Sequence, residues 1–305
     1  MSSGLRWLVT GAGGMLGTVL VQQLRAAGMT VGALGRAQLD ITDASAVDRV
    51  VAAWRPDIVV NCAAFTAVDA AEAASGLAIA VNATAVQYLA AACQQVGAVL
   101  LQLSTDYVFS GHPPRGGAGW REIDAVHPLS VYGTSKQAGE LAVAALGERG
   151  LVVRTSWLFG PGSRHFPAAI LARARQGLPL RVVSDQSGCP TWAPDLARAL
   201  VMLGQRLCNR EPLPPLLHIA GTEAVSWWQY AVAVVTQAHR YGLLDAVPAI
   251  APVSTLEYGA PAPRPVWSVL DSGQAKALGI ELSDWRRGLD QWLHECVHEQ
   301  TLRKD

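Results

Sequence analysis

The chain has 305 residues, of which 50% are hydrophobic and 16% charged, a balance that excludes a disordered polypeptide and leaves ample material for a large core. Lys plus Arg and Asp plus Glu each number 24, with no long run of either sign, so the charge gives no reason to expect nucleic acid or a membrane surface as partner. The start of the chain has no apolar leader core, no run of about 18 uninterrupted apolar residues occurs, and the five cysteines are scattered without a C-x-x-C. These features predict a cytoplasmic protein with reduced thiols that mostly fill small core gaps.

In chain order, residues 5–12 form a buried strand and 17–28 a helix. Residues 30–35 are a second strand, 45–54 a helix, and 57–64 a third strand. A long helix over 78–97 precedes a fourth strand over 98–109, then a helix over 130–147 and a fifth strand over 150–160. Repeated βα units with unbroken Val/Ile/Leu strands predict an α/β fold, a doubly wound parallel sheet covered on both faces. Beyond residue 158 the pattern loosens: helices over 166–177, 195–207 and 226–242, strands near 180 and 216, proline-punctuated loops, and a closing helix from Ser283. Tryptophan and proline concentrate there, as expected of a smaller, interleaved, pocket-forming C-terminal domain. Asn82-Ala83-Thr84 matches a glycosylation sequon, which without a secretory signal is read as accidental.

Gly11, Gly14 and Gly17 stand in G-x-x-G-x-x-G spacing between the first strand and the first helix. Glycines there permit a tight turn and close backbone approach to a pyrophosphate, while the helix start supplies free N–H groups and a positive dipole end, so a nucleotide is expected. The second strand ends at Gly35-Arg36, with Asp40 shortly after. Arg36 either meets the 2′-phosphate of NADP or is an ordinary solvated surface charge.

Tyr132 and Lys136 lie four residues apart on a predicted helix and so share a face. A phenol with an ordinary pKa near 10 is a poor acid at neutral pH unless its anion is stabilised, which a neighbouring lysine cation can do. Ser104, Thr105 and Asp106 end the fourth strand, on the side of a parallel sheet where ligands bind. A hydroxyl there can donate to a developing oxyanion beside the tyrosine.

The segments around the glycines, 104–111 (STDYVFSG) and 132–136 (YGTSK) resemble the extended short-chain dehydrogenase/reductases. With 55–72, 154–160, 185–191 and 264–271 added, nearly the whole chain is similar, in order, to the dTDP-4-dehydrorhamnose reductase family. The resemblance implies NADPH, with NADH as the alternative, and a dTDP-sugar substrate. It implies that Tyr132 protonates the C4 oxygen while hydride arrives at C4, that Lys136 binds the nicotinamide ribose and lowers the tyrosine pKa, and that Thr105 polarises the carbonyl. Gly14, Met15 and Leu16 would offer backbone to the pyrophosphate, Asp40 and Ile41 would lie by the adenine, and Ala63, Ala64 and Thr66 would line the cofactor cleft. Val68, Asp106, Tyr107 and Trp157 would contact the sugar, and the loop around Gln186 would shape the nucleotide site. The expected division is an NADP-binding domain over 1–157, with segments from roughly 180–220 packing back onto it, and a mainly substrate-binding domain over 158–305.

Two positions depart from the family pattern. Ser163-Arg164-His165-Phe166 stands where the family has an asparagine-rich segment. Pro194 stands where some members carry an acidic residue that bridges dimer halves through Mg²⁺. A monomer or weak homodimer without a metal link is therefore expected. A dehydratase usually has Asp-Glu after its threonine, whereas here Asp106-Tyr107 follows Thr105. An epimerase, or a non-catalytic NADP-binding subunit like the β subunit of methionine adenosyltransferase, stays open as the alternative. Finally, His294-Glu295-Cys296-Val297-His298 spells H-E-x-x-H, a zinc-hydrolase pattern. Trp285, Leu289, Trp292, Leu293, Cys296 and Val297 form the apolar stripe of that helix, which turns His294 and His298 to solvent. No metal is expected there.

Overall fold

The computed structural model describes residues 4–162 and 164–302. Its centre is a six-stranded sheet made of β1 (Arg6–Thr10), β2 (Thr30–Leu34), β3 (Ile58–Asn61), β4 (Val99–Thr105), β5 (Gly150–Thr155) and the strand Leu216–His218, all parallel. From one edge the order is Leu216–His218, β5, β4, β3, β1, β2. The chain thus moves outward from β1 to β2 and then restarts at β3 on β1's other side. In open α/β sheets the ligand site lies at such a switch point, here beyond the carboxyl ends of β1 and β3.

Helices cover both faces, which is why the strands read as continuous apolar runs. On one face α1 (Met15–Ala26) packs beside α8 (Ala193–Cys208), and their Leu20, Leu24, Leu196, Leu200 and Leu203 bury Trp7 and Val9 of β1. Gly204 makes room for the Trp7 ring, since a Cβ there would lie 2.8 Å from Trp7 Cζ3. On the other face Val47 and Val51 of α2 (Ala44–Trp54) join Leu89 of α5 (Ala85–Val96) and Val143 of α6 (Val131–Ala144). Between α2 and α5 come α3 (Val68–Ala73) and α4 (Ser75–Ile79), and a π-helical turn, Ala80–Thr84, joins α4 to α5. By length and composition the helical run Ser75–Val96 could cross a membrane, with mean hydropathy 1.5, but half of it is buried inside the protein.

The smaller lobe contains α7 (Phe166–Arg175), α9 (Trp227–Arg240), the parallel pair Leu180–Val183 and Ile250–Val253, and the last helix, Trp285–Leu302. Its core is aromatic: Phe159, Trp192, Tyr230, Trp285 and Trp292 pack with Ile170 and Leu293.

Several expected boundaries move. β4 stops at Thr105 and turns into a short 3-10 segment, Asp106–Val108, rather than running to Phe109. The fifth strand breaks after Thr155, because Trp157 adopts φ +45, a left-handed conformation that ends any ladder. The short α3 had no clear periodic signal. The last helix is capped by Asp284, whose Oδ1 accepts from Arg286 N and Arg287 N, and not by Ser283, whose hydroxyl accepts from Trp192 N. Asn82 of the sequon is 1% exposed, and both ends of its amide are hydrogen-bonded inside the protein.

Candidate active site

Where β1 enters α1 the chain must turn within four residues. Gly11 takes φ +65, and a Cβ there would overlap the Ala63 backbone nitrogen and sit 2.6 Å from the Cys62 carbonyl carbon. Gly14 N donates to Gly11 O at 2.9 Å, and Gly14 then serves as the N-cap of α1. A Cβ on Gly17 would overlap the Gly11 carbonyl oxygen, so this glycine lets the helix sit against its own turn. Met15 is half-buried and Leu16 buried on α1. The result is an open turn with the helix start behind it, the geometry that receives a pyrophosphate. Beyond β2, Arg36 is exposed and Ile41 is buried at 6%. The Thr42 hydroxyl and amide hold the exposed Asp40 carboxyl below its ordinary range, and the Arg36 charge adds to this.

A ladder of buried polar side chains links the strand ends. Thr10 Oγ1 donates to Asn61 Oδ1 at 2.6 Å, Asn61 Nδ2 to Gln102 Oε1 at 2.7 Å, and Gln102 Nε2 to Leu103 O at 2.8 Å. That same carbonyl accepts from Lys136 Nζ at 2.6 Å. Asn61 Oδ1 also accepts from Ala63 N at 3.1 Å, fixing the start of the 63–66 segment. Ala63 and Ala64 are half-buried there and Thr66 is exposed. The segment is anchored a second time by Asn82. Its Oδ1 accepts from Phe65 N at 2.8 Å, and its Nδ2 donates to Phe65 O at 3.0 Å and to Ser135 Oγ at 2.9 Å.

Tyr132 and Lys136 point from α6 toward the end of β4, and the Tyr132 hydroxyl is hydrogen-bonded to the Thr105 side chain. Thr105 Oγ1 in turn donates to Asp106 Oδ1 at 3.0 Å. Burial pushes Tyr132 up to about 12, against the Thr105 hydrogen bond, and the Asp106 charge pushes the same way as burial. The phenol is therefore fully protonated at neutral pH and available as a donor. Burial brings Lys136 down to about 8, opposed chiefly by the charge of Glu140. Burial likewise raises Asp106 to about 6, with hydrogen bonds from Ser268 and Thr105 opposing it.

Residue 107 and the smaller lobe add aromatic and charged groups to the site. The Tyr107 ring stands edge-on to Tyr132 with centroids 5.6 Å apart. Burial raises the Tyr107 phenol, which is hydrogen-bonded to Arg264. Arg264 pairs bidentately with Asp69 at 2.9 and 2.8 Å, tying the start of α3, where Val68 is half-buried, to the proline-rich segment near residue 262. Trp157 stacks on Trp227 with centroids 3.4 Å apart and an interplanar angle of 6°. Gln186 is 3% exposed and donates to Thr255 Oγ1 at 3.0 Å. It lies at the edge of a cavity of about 550 Å³ lined by Phe166, Ile170, Arg173, Arg181, Trp227 and Arg264.

The two departures find structural roles. Ser163 lies outside the described residues, but His165 is the N-cap of α7: its Nδ1 accepts from Ala168 N, so Nε2 carries the proton and donates to Gly162 O at 3.0 Å. Burial brings this imidazole down to about 4. Pro194 occupies the first turn of α8, and its carbonyl accepts from Gln23 Nε2 at 3.0 Å. His294 and His298 are exposed on the last helix with ring centroids 4.4 Å apart. Among the described residues no group of three or more His, Cys, Asp or Glu side chains is placed to hold a metal. Asn82, Glu140, Arg264 and Trp227 belong to the site although sequence reasoning assigned none of them a role in it. Glu140 had a signal, since it follows Lys136 by four residues on the same helical face; the other three come from distant segments and had none.

The model of the RmlD substrate binding domain family matches residues 5–298. A dTDP-4-dehydrorhamnose reductase of Streptomyces griseus is 46% identical over 289 residues, covering 94% of this chain and 92% of that protein. A probable dTDP-4,6-dihydroxy-2-methyloxan-3-one 4-ketoreductase of Streptomyces antibioticus is 39% identical, covering 98% and 99%. The crystal structure of dTDP-4-dehydrorhamnose reductase from Bacillus anthracis in complex with NADP superposes with a TM-score of 0.87 at 34% identity, covering 96% of this chain and 99% of that one. With sequence, fold and topology in agreement over nearly its whole length, the chain belongs to the dTDP-4-dehydrorhamnose reductase family.

Proposed function

We propose that this protein reduces the C4 keto group of dTDP-4-dehydrorhamnose (dTDP-4-dehydro-6-deoxy-L-mannose) to give dTDP-L-rhamnose, with NADPH as reductant. The observation that carries the reading is the convergence of Tyr132, Thr105 and Lys136 on the end of β4, in the same sheet whose β1 leads into the open glycine turn. The chain fits the cofactor: nothing stands within 4 Å of a Cβ built at Gly13, so the turn is open. Gly11 and Gly17 are the points where a side chain would collide with the backbone behind it. Met15 and Leu16 extend the turn, Ala63, Ala64 and Thr66 form the cleft, and Asp40 and Ile41 flank the adenine side. The exposed guanidinium of Arg36 favours the 2′-phosphate of NADPH over NADH.

When bound, NADPH supplies the hydride. Tyr132 gives its phenolic proton to the carbonyl oxygen as charge develops there, and the Thr105 hydroxyl, turned from Asp106, donates a hydrogen bond to the same oxygen. Lys136 places a cation beside the forming tyrosinate and holds the ribose. Asp106, Val68, Tyr107 and Trp157 surround the sugar, and the arginine-lined cavity by Gln186 suits a diphosphate flanked by apolar and aromatic walls. Residues 158–305 thus mainly serve the sugar nucleotide, while α8 and the strand Leu216–His218 complete the cofactor half. Pro194, standing where a metal-bridging acidic residue would, favours a monomer or weak homodimer, and scattered cysteines without a C-x-x-C suit a reducing cytoplasm.

The Streptomyces antibioticus relative favours one alternative substrate, a dTDP-4-keto sugar other than the rhamnose precursor. The test is NADPH oxidation, followed by absorbance, with each dTDP-4-keto sugar supplied. Oxidation with the rhamnose precursor is expected. Tight NADPH binding without oxidation of any such sugar would overturn the reading and leave a non-catalytic NADP-binding subunit.

A further inference from the structure

Glu140 lies one turn past Lys136 on α6, and two strands grip its carboxylate at once. Oε1 accepts from Ser104 Oγ at 2.6 Å and from Arg154 Nε at 2.7 Å, while Oε2 accepts from Arg154 Nη2 at 2.7 Å. Ser104 and Arg154 are register partners on β4 and β5, so both side chains rise on the face that α6 covers. Arg154 and Glu140 have side chains 4% and 11% exposed. Behind them Arg154 Nη1 reaches His218 Nε2 at 3.3 Å. The Nδ1 of that imidazole faces Trp120 O at 2.9 Å. Burial, together with the Arg154 charge, brings His218 down to about 3, so the ring is neutral and adds no charge to the group.

A buried ion pair is a weak source of net stability, because desolvating both charges offsets their attraction, and an apolar pair of similar volume often serves the fold as well. An apolar pair would not, however, place an anion beside Lys136. Among the described residues the charged and titratable groups acting on that lysine are Glu140 on its own helix and Cys62 beyond the end of β3, with Arg154 of β5 behind Glu140 and with Asp106 acting on Tyr132 one helical turn away. Burial keeps the Cys62 thiol protonated, pushing it up to about 12. Glu140 is then the carboxylate that acts on Lys136 from within α6.

We propose that Glu140 is a positioning residue for the catalytic pair: clamped by Ser104 and Arg154, it fixes α6 against β4 and β5 and holds Lys136 in its cationic form. The proposal rests on the reading of Tyr132 and Lys136 given above.

The test compares the wild type with Glu140→Gln, Glu140→Asp, Lys136→Met and the double variant Glu140→Gln/Arg154→Met, which removes both buried charges and so protects the fold. Two quantities are followed from neutral to alkaline pH: NADPH affinity, by quenching of protein fluorescence, and kcat/KM. In Glu140→Gln the alkaline limb of both profiles is expected to move to lower pH by about one unit or more, as for loss of an opposite charge at close range, and in the double variant, which loses the Arg154 cation as well, to move by less. Glu140→Asp is expected to leave the limb in place. Slower turnover with an unmoved limb in Glu140→Gln would overturn the proposal and leave Glu140 a structural residue. If the limb persists in Lys136→Met, it does not belong to the lysine, and the reading of the catalytic pair fails instead.

Discussion

Replacing Asn82 by Ala should show how the cofactor cleft is held open. Asn82 is 1% exposed and makes three hydrogen bonds: from Phe65 N at 2.8 Å, to Phe65 O at 3.0 Å and to Ser135 Oγ at 2.9 Å. Its truncation strands a backbone donor and a backbone acceptor, and each such group costs about 1–3 kcal/mol when buried. Phe65 is half-buried, so water can reach part of the site; the expected loss is about 2–4 kcal/mol, out of a total stability of about 5–15 kcal/mol. Because Phe65 belongs to the segment with Ala63, Ala64 and Thr66, NADPH affinity should fall as well, by about tenfold or more (about 1.4 kcal/mol). Urea unfolding of the cofactor-free protein and a fluorescence titration with NADPH measure the two effects separately. A loss of stability below about 1 kcal/mol with unchanged affinity would refute the reasoning, since the segment would then hold its position without Asn82.

Trp227→Ala removes the ring on which Trp157 rests. Aromatic pairs contribute about 0.5–1.5 kcal/mol beyond their buried area, so KM for the dTDP-sugar should rise by up to about tenfold with NADPH affinity unchanged; an equal change in both would mean that the lobe as a whole had loosened. The pH profile follows from Lys136: its pKa is lowered from 10.5 to about 8, the working form is the cation, and activity is therefore present below that value and lost as pH rises through it. A profile flat across that range would contradict the assignment, because Tyr132, raised to about 12, has not yet titrated there. Dialysis against a chelator should leave turnover intact, as His294 and His298 are two exposed rings with no third ligand among the described residues; loss of activity, restored by zinc, would reverse that expectation.

Much of the fold was legible because parallel strands covered on both faces are unbroken apolar runs, and because the glycine turn sits where the first strand meets the first helix. That Tyr132 and Lys136 share one helix was legible because helical spacing is a local property. The phenol's environment was less so. Helical adjacency suggested a lysine that lowers the tyrosine pKa, yet burial raises Tyr132 and the Lys136 ammonium is bound to Leu103 O. Burial is a tertiary quantity that spacing does not encode. The break at Trp157 and the early end of β4 were hidden for a similar reason: both sequences carry strand-forming residues, and the site, not local propensity, bends the backbone there. Asp69 with Arg264, and Trp157 with Trp227, are joined by contacts between remote segments, which no period in one sequence reveals.

The central claim is that Tyr132 is the proton donor of an NADPH-dependent ketone reduction. Its most direct test is Tyr132→Phe, with NADPH affinity and the kcat of NADPH oxidation measured on dTDP-4-dehydrorhamnose. Unchanged affinity and a loss in kcat of about 10²–10⁴-fold, the contribution of a positioned general acid, are expected. A variant that turned over at the wild-type rate would contradict the claim.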